Sequence, residues 1–265
     1  MVYEYLQENY QANEPIFLSD IKLPISDTNL RQNFKVLCDT GKIKRYDTGI
    51  YYLPAPSKLK GGTTIAPQTV VQYKYIKRNG RIEGYYSGFT FANQMGVTIQ
   101  VPYTLEIVTN AASANMREIS LKGQRVILRK PKTRITAENY KTLQFLDLLK
   151  DIDIYADYIG REIAEQLAKY LKDEKITEAD IDRYISLYPD KVYRNFYEMR
   201  LYCVFAELFR EMIYSAATDL NLPIPVVEKD YYVTMLLKQL AEKAPTCVFK
   251  RGTNLIKCDR IISNN

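Results

Sequence analysis

Short apolar stripes separated by polar breaks run through the first 24 residues and predict two helices. Apolar side chains recur at roughly helical spacing from Val2 to Tyr10, which predicts a first short helix. Residues 13–15, Asn-Glu-Pro, break this pattern. The apolar stretch 16–21, closed by Pro24, then predicts a second short helix.

A third and longer helix is predicted after Ser26. Leu30, Phe34 and Leu37 recur at i, i+4 and i+7, which is the spacing of one buried helix face. Ser26 is a suitable N-cap residue, and a glycine directly after Thr40 is a suitable C-cap. We therefore expect a helix that starts just after Ser26 and ends at about Thr40.

Two β-prone runs, 43–46 and 50–53, flank an Asp-Thr-Gly turn and predict a hairpin. Three helices followed by a hairpin is the layout of a winged helix-turn-helix. Residues 1–56 are therefore expected to form a DNA-binding domain. Modules with this layout also bind proteins, so that alternative stays open.

The third helix is predicted to turn polar side chains outward, opposite its apolar face. Asn and Gln can pair bidentately with adenine, and Arg can do so with guanine, at the edges of the major groove. Hydroxyl groups near a helix N-terminus suit phosphate oxygens, and basic residues in the wing would face the DNA backbone. The candidate DNA-binding residues are Ser26, Thr28, Asn29, Arg31, Gln32, Lys35, Lys42, Lys44 and Arg45.

A change in amino-acid composition marks the start of a second region. The stretch 54–62 is rich in Pro, Lys and Gly, which predicts a linker and a domain boundary. Residues 66–77 are compatible with a helix. Beta-prone runs predict strands at 97–102, 103–109 and 124–129, so the region is expected to be mixed α/β.

From Ala137 to about Tyr188 the pattern becomes helical, with two apolar stripes. The stripes are Tyr140, Leu143, Leu146 and Leu149, and then Ile159, Ile163, Leu167 and Leu171. The whole pattern predicts an α+β fold in three parts. These parts are a winged helix-turn-helix over 1–56, a mixed α/β domain with a helical end over 61–200, and a helical segment over 205–265.

Charge is distributed unevenly along the chain. The net charge is +6, yet residues 61–135 hold 11 basic and only 3 acidic residues, while 136–205 hold 10 basic and 14 acidic. Basic density beside a DNA-binding module favours contacts to phosphates, although a solvated basic surface is the alternative. The candidate phosphate contacts are Arg117, Lys122, Arg125, Lys130, Lys132 and Arg134.

The composition argues against several kinds of chemistry. The 265 residues contain no histidine, the commonest general base and zinc ligand, and the four cysteines form no Cys-x-x-Cys pair. The acidic residues between 147 and 157 lack the glycine and the terminal glutamate of a calcium loop, so they are expected to form a solvated helical face. We expect no metal site and no cofactor.

The N-terminal residues lack the basic and apolar blocks of a signal peptide, and no run approaches 18 consecutive apolar residues. These features predict a cytoplasmic protein with no membrane partner. Free cysteines are expected in such a reducing compartment.

Residues 41–110 resemble the AbiEi family, the antitoxins and autoregulators of AbiE-type toxin–antitoxin systems. The matching fragments are GKIKR at 41–45, GIYYLP at 49–54, IA at 65–66, YSG at 86–88, ANQMG at 92–96 and QVP at 100–102. The resemblance covers about two thirds of the chain if it is extended to residue 190. It implies a winged-helix domain that represses its own promoter through inverted repeats, and a second domain that neutralises a cognate toxin.

The last sixty residues resemble the start of the partner family, the AbiEii nucleotidyltransferase toxins. The fragments are FRE at 209–211, LPIP at 222–225, VEKDYYVT at 227–234 and VFKRGTNLIKC at 248–258. The resemblance implies a vestigial nucleotide-binding loop at Gly252, Thr253 and Lys257. Arg251 and Asn254 stand where the toxin family has Gly and Ser.

Only one carboxylate, Asp259, follows that loop, whereas the toxin family continues to a pair of metal-binding carboxylates. Nucleotidyl transfer depends on metal ions held by acidic side chains. We therefore expect no enzymatic activity from this chain. The remaining alternative is that the chain is an inactive fragment of a nucleotidyltransferase.

The sequence therefore predicts a DNA-binding antitoxin and transcriptional autorepressor. Its expected partners are double-stranded DNA carrying a promoter inverted repeat and a cognate nucleotidyltransferase toxin, contacted directly or indirectly. A homodimer on the DNA would match the two-fold symmetry of an inverted repeat. The alternative is an interaction protein that binds the toxin without specific DNA recognition.

Overall fold

A computed structural model describes residues 1–56, 64–156 and 160–243. The chain divides into two compact units, Met1–Tyr202 and Cys203–Asn265. The described part is α+β, which confirms the predicted class. No helix in this part is long and apolar enough to cross a membrane.

The N-terminal region contains two helices and a small antiparallel sheet. Its elements are α1 (Val2–Asn9), β1 (Ile16–Phe17), α2 (Asp27–Asp39), β2 (Lys44–Asp47) and β3 (Ile50–Tyr52). The strands lie in the order β1-β3-β2, so the predicted hairpin is flanked by an additional short strand.

The predicted second helix is wrong. Ile16 and Phe17 pair with β3, and Leu18–Asp20 form a single 3₁₀ turn. Both β1 residues are buried, because Ile16 packs towards α1 and α2 while Phe17 packs towards the second region. A short apolar run that is buried on both sides has no periodicity that separates a strand from a helix.

The small sheet is shared by two hydrophobic clusters. On one side, Ile16, Ile43 and Leu53 pack with apolar residues of α1 and α2. On the other side, Tyr46 and Ile50 belong to the cluster formed by the second region. The hairpin is therefore covered on both faces.

The second region is built on a four-stranded mixed sheet. Its elements are α3 (Pro67–Tyr75), β4 (Lys77–Arg78), β5 (Arg81–Ile82), β6 (Gly84–Tyr86), α4 (Gly88–Gln94), β7 (Leu105–Thr109), β8 (Met116–Leu121) and β9 (Gln124–Arg129). The strand order is β6-β7-β9-β8, with β7 parallel to β9 and the other two pairs antiparallel. Strands β4 and β5 form a separate two-stranded ribbon.

The predicted helix at 66–77 and the strand at 124–129 are confirmed, and the strand at 103–109 begins two residues late. The strand predicted at 97–102 is wrong, because this segment pairs with no strand in the described part of the chain and leaves Ile99 94% and Val101 83% exposed. Strand β8 lies outside the predicted strands; only three of its six residues are apolar, and four of the six are exposed.

A helical layer follows the sheet, as predicted. It contains α5 (Tyr140–Lys150), α6 (Ile152–Tyr155), α7 (Arg161–Asp173), α8 (Glu178–Ile185) and α9 (Lys191–Glu198). Leu143, Leu146 and Leu149 of α5 are fully buried, as are Leu167 and Leu171 of α7. Ile159, from the second predicted stripe, lies outside the described residues.

The second unit contains α10 (Cys203–Leu220) and α11 (Ile224–Lys243). Ile213 and Ala217 of α10 form its buried cluster with Val227 of α11. Apolar side chains of α11 are only partly buried, since Val226 is 49% and Val233 44% exposed.

Candidate nucleic-acid interface and a polar cavity

Helix α2 is fixed by its cap and by its buried face. The Ser26 hydroxyl accepts a hydrogen bond from the Asn29 amide at 3.3 Å, so it acts as the predicted N-cap. Leu30 and Phe34 are buried, and the Phe34 ring meets the Tyr51 ring edge-to-face at 4.8 Å between centroids. The helix is therefore held against the hairpin, and its orientation fixes which side chains face outward.

The opposite face of α2 is exposed. Thr28, Asn29, Arg31, Gln32 and Lys35 are all exposed to solvent. The structure gives the side chains of Arg31, Gln32 and Lys35 no hydrogen bond or ion pair with any described residue. Five of the predicted DNA-binding residues thus lie on one accessible helix.

Two further exposed residues on this helix, Asn33 and Val36, are not among the predicted DNA-binding residues. Val36 is 54% exposed, and the Asn33 amide donates to the Asn29 carbonyl at 2.8 Å. The sequence indicates the exposure of Val36, because this residue does not share the i, i+4, i+7 spacing of Leu30, Phe34 and Leu37. An exposed methyl-bearing side chain on such a face can contact the methyl group of thymine.

The predicted wing residues differ in their surroundings. Lys42 is exposed, and its ammonium lies 4.9 Å from the centroid of the Tyr3 ring. Arg45 is exposed and donates to the Thr48 hydroxyl at 3.4 Å. Lys44 is half-buried and pairs with Tyr52 in the sheet.

The six predicted phosphate contacts do not form one patch. Lys122, at the turn between β8 and β9, lies 5.8 Å from the Tyr46 ring and is therefore next to the hairpin. Lys130 and Lys132 follow the other end of β9. The six residues of β9 lie between these two positions, and at the strand rise per residue they alone span roughly 20 Å.

The remaining members of that set are dispersed. Arg125 is paired with Glu118 at 2.7 Å on the exposed surface of the β8–β9 hairpin. Arg117 and Arg134 are exposed. The basic residues of 61–135 are therefore distributed over several separate surfaces.

An ion pair joins the 3₁₀ turn to the β4–β5 ribbon. The Arg78 guanidinium donates to the Asp20 carboxylate, with Nε 3.0 Å from Oδ2, and also to the Ser19 hydroxyl. Burial raises the pKa of Asp20, but hydrogen bonds from Arg78 and Ser19 outweigh it, so the pKa lies below its usual value. This contact helps fix the N-terminal region on the second region.

A polar cavity of about 430 Å³ lies beside the end of β9. Its walls come from the β6–α4 junction, β7, the segment after β9, and helices α5 and α6. The lining residues are Ser87, Gly88, Glu106, Val108, Asn115, Arg129, Lys130, Pro131, Lys132, Asp147, Lys150, Asp151 and Tyr155. Two of the predicted phosphate contacts, Lys130 and Lys132, are among them.

Glu106 organises one wall of the cavity. Its carboxylate accepts from the Phe89 amide at 3.2 Å and from the Arg129 guanidinium at 3.2 Å. Gly88 has a φ of +58°, and a Cβ there would overlap the Glu106 carboxylate. Glycine at this position therefore allows the carboxylate to approach the first turn of α4.

Asp147 and Lys150 organise the facing wall on α5. Asp147 accepts from the Tyr85 hydroxyl at 2.8 Å, and Lys150 lies 3.6 Å from Asp147 and 3.2 Å from Asp151. Burial raises the pKa of Asp147, and this exceeds the lowering caused by Lys150 and Tyr85. Burial and the facing Asp147 also raise the pKa of Tyr85, so its hydroxyl remains a donor.

The structure brings together no group of three or more Cys, Asp or Glu side chains that could hold a metal ion within the described ranges. The predicted vestigial nucleotide loop, Gly252, Thr253 and Lys257, lies outside those ranges. Comparison of the sequence with protein-family models and with curated proteins finds no match.

Proposed function

We propose that this chain is a DNA-binding transcriptional regulator that reads duplex DNA through α2. The observation that carries the proposal is the exposed polar face of α2, on which the side chains of Arg31, Gln32 and Lys35 make no hydrogen bond or ion pair with any described residue. These residue types pair with base edges in the major groove or with phosphates. The groove admits a single α-helix of this size.

The surroundings of α2 support a winged helix-turn-helix in which a 3₁₀ turn takes the place of the second helix. The sheet order β1-β3-β2 sets a hairpin beside the exposed helix. Lys42 and Arg45 are exposed around this hairpin and Lys122 lies against it, so positive charge is available for the DNA backbone. Burial on both faces of the sheet supports a hairpin of fixed orientation.

The proposal extends to autorepression and antitoxin function through the resemblance to the AbiEi family. Two copies would occupy the two halves of an inverted repeat, and the second region would counteract a nucleotidyltransferase toxin. These extensions depend on the fragments quoted above, since neither follows from the geometry of α2.

Fluorescence anisotropy with a duplex from upstream of the chain's own gene tests the DNA proposal. We expect Arg31→Ala to relax sequence preference and Lys42→Ala to weaken all sequences alike, while affinity falls with salt. Arg194→Ala, an exposed arginine on α9, is the control and should bind as the unmodified protein does. Affinity that ignores both salt and Arg31 would overturn the proposal.

A second candidate function is binding to a protein partner, and one observation favours it. The unpaired segment 97–104 exposes Ile99, Val101 and Tyr103, which is 71% accessible. A cluster of exposed apolar side chains is typical of protein interaction sites. Replacing Ile99 and Val101 by Ser should then abolish toxin neutralisation in co-expression while DNA affinity is unchanged.

A further inference from the structure

We propose that the polar cavity beside β9 binds a small phosphate-bearing anion, held by Lys130, Lys132 and the hydroxyl of Ser87. This site is separate from the proposed DNA-reading face of α2 and does not depend on it. The chemistry is that of phosphate, which a small metabolite or a DNA backbone can both supply.

The charges of the wall point to an anionic ligand. Each carboxylate that lines the cavity has a cation in contact: Glu106 has Arg129, and Asp147 has Lys150. Asp151 has both Lys150 and Lys191. The structure gives the ammonium groups of Lys130 and Lys132 no such carboxylate among the described residues, so their charge is available to a ligand.

Ser87, a largely buried residue, adds a hydroxyl group to the same cavity. The residue is 94% buried, as only 6% of its surface is accessible, and it lines the cavity. It occupies the N-cap position of α4, yet its side chain makes no cap hydrogen bond, because Glu106 accepts from the Phe89 amide instead. The hydroxyl is therefore available inside the cavity, with no hydrogen-bond partner in the described part of the chain.

The size and polarity of the cavity favour a phosphate monoester over an apolar ligand. A volume of about 430 Å³ lies within the range of small-molecule pockets, and charged groups dominate the lining. Two ammonium groups can make charge-assisted hydrogen bonds to the oxygens of a dianion, and a serine hydroxyl can donate a third. Fixed carboxylates nearby would repel an anion that approached without engaging both lysines.

Isothermal titration calorimetry of the full chain, at constant ionic strength, tests the site with three probes. The probes are inorganic phosphate, adenosine 5′-monophosphate and adenosine. We expect the two phosphate compounds to bind and adenosine to give no heat. The double variant Lys130→Gln/Lys132→Gln should weaken phosphate binding by about tenfold or more, and Ser87→Ala by about threefold.

The matched control is Lys169→Gln/Lys175→Gln, which removes the same charge from two exposed lysines in or directly after α7. It should leave phosphate affinity unchanged, and thermal melts of all variants should show intact folding. Absence of phosphate binding at millimolar concentration would overturn the proposal. So would binding that survives in Lys130→Gln/Lys132→Gln.

Anisotropy with duplex DNA distinguishes the two sources of phosphate. If the cavity serves a small molecule, Lys130→Gln/Lys132→Gln binds duplex DNA as tightly as Lys169→Gln/Lys175→Gln does. A larger loss of duplex affinity in Lys130→Gln/Lys132→Gln would assign the lysines to the DNA backbone and overturn the small-molecule site.

Discussion

The exposed face of α2 and the cavity beside β9 both carry cations, but in opposite settings. On α2, Arg31 and Lys35 project into solvent with no carboxylate paired to them among the described residues. In the cavity, Arg129 and Lys150 are already paired with carboxylates, whereas Lys130 and Lys132 have no carboxylate partner within the described ranges. Local pairing, rather than the number of basic residues in a stretch, therefore decides where an anion can bind.

The largest expected loss of stability comes from deleting a buried side chain that holds α2 in place. Phe34→Ala deletes a fully buried ring and should cost about 3–5 kcal/mol of unfolding free energy. Val36→Ala, two residues along and half exposed, is the control and should change stability by less than about 0.5 kcal/mol. Urea denaturation of both variants measures this, and equal losses would show that α2 does not pack as described.

A smaller effect is expected at the cavity wall. Gly88→Ala places a methyl group against the Glu106 carboxylate at a positive φ, and should cost about 1–3 kcal/mol. Gly41→Ala shares the positive φ but meets no neighbouring atom within 4 Å, so it isolates the effect of backbone strain. Thermal melts should rank Gly88→Ala well below Gly41→Ala, and the reverse order would contradict the geometry of Glu106.

The next prediction concerns the buried partner of Asp147. Tyr85→Phe removes the hydroxyl that donates to this carboxylate and should cost about 1–3 kcal/mol, since a buried acceptor loses a donor. Tyr103→Phe removes an exposed hydroxyl that donates to the Gly123 carbonyl and should cost less than about 0.5 kcal/mol. Denaturant midpoints that do not separate the two variants would argue against a buried Asp147.

The smallest effect is pH-dependent and concerns the Asp20–Arg78 pair. The pKa of Asp20 is lower in the folded chain than its usual value of 3.8, so the pair stabilises the fold above that pH. The contribution is lost as pH falls through the lower folded pKa, and is under about 1 kcal/mol because Arg78 is partly exposed. Arg78→Gln should flatten the acid limb of stability against pH, and an unchanged limb would be evidence against the pair.

Part of this fold could be predicted from the sequence. Periodic apolar spacing located α2, and the cap at Ser26 fixed its start. A strongly β-prone run located β9, and apolar stripes located α5 and α7. In each case a regular pattern coincides with one face of an element that is buried.

The wrong secondary-structure predictions arise where long-range contacts decide the structure. Residues 16–17 form a strand because β3 pairs with them, whereas 97–102 has no strand of the described residues beside it. The exposure of the α2 side chains followed from periodicity. The cavity did not, because Ser87, Glu106 and Asp147 converge from elements far apart in the sequence, and nothing in their local patterns indicates one site.

The most direct test of the central claim is an NMR titration of the isotope-labelled chain with the upstream duplex. We expect the resonances of Thr28, Gln32 and Lys35 to shift most, with smaller shifts around Lys42 and Arg45. Shifts confined to other surfaces, with α2 unchanged at saturation, would contradict the claim that this helix reads DNA.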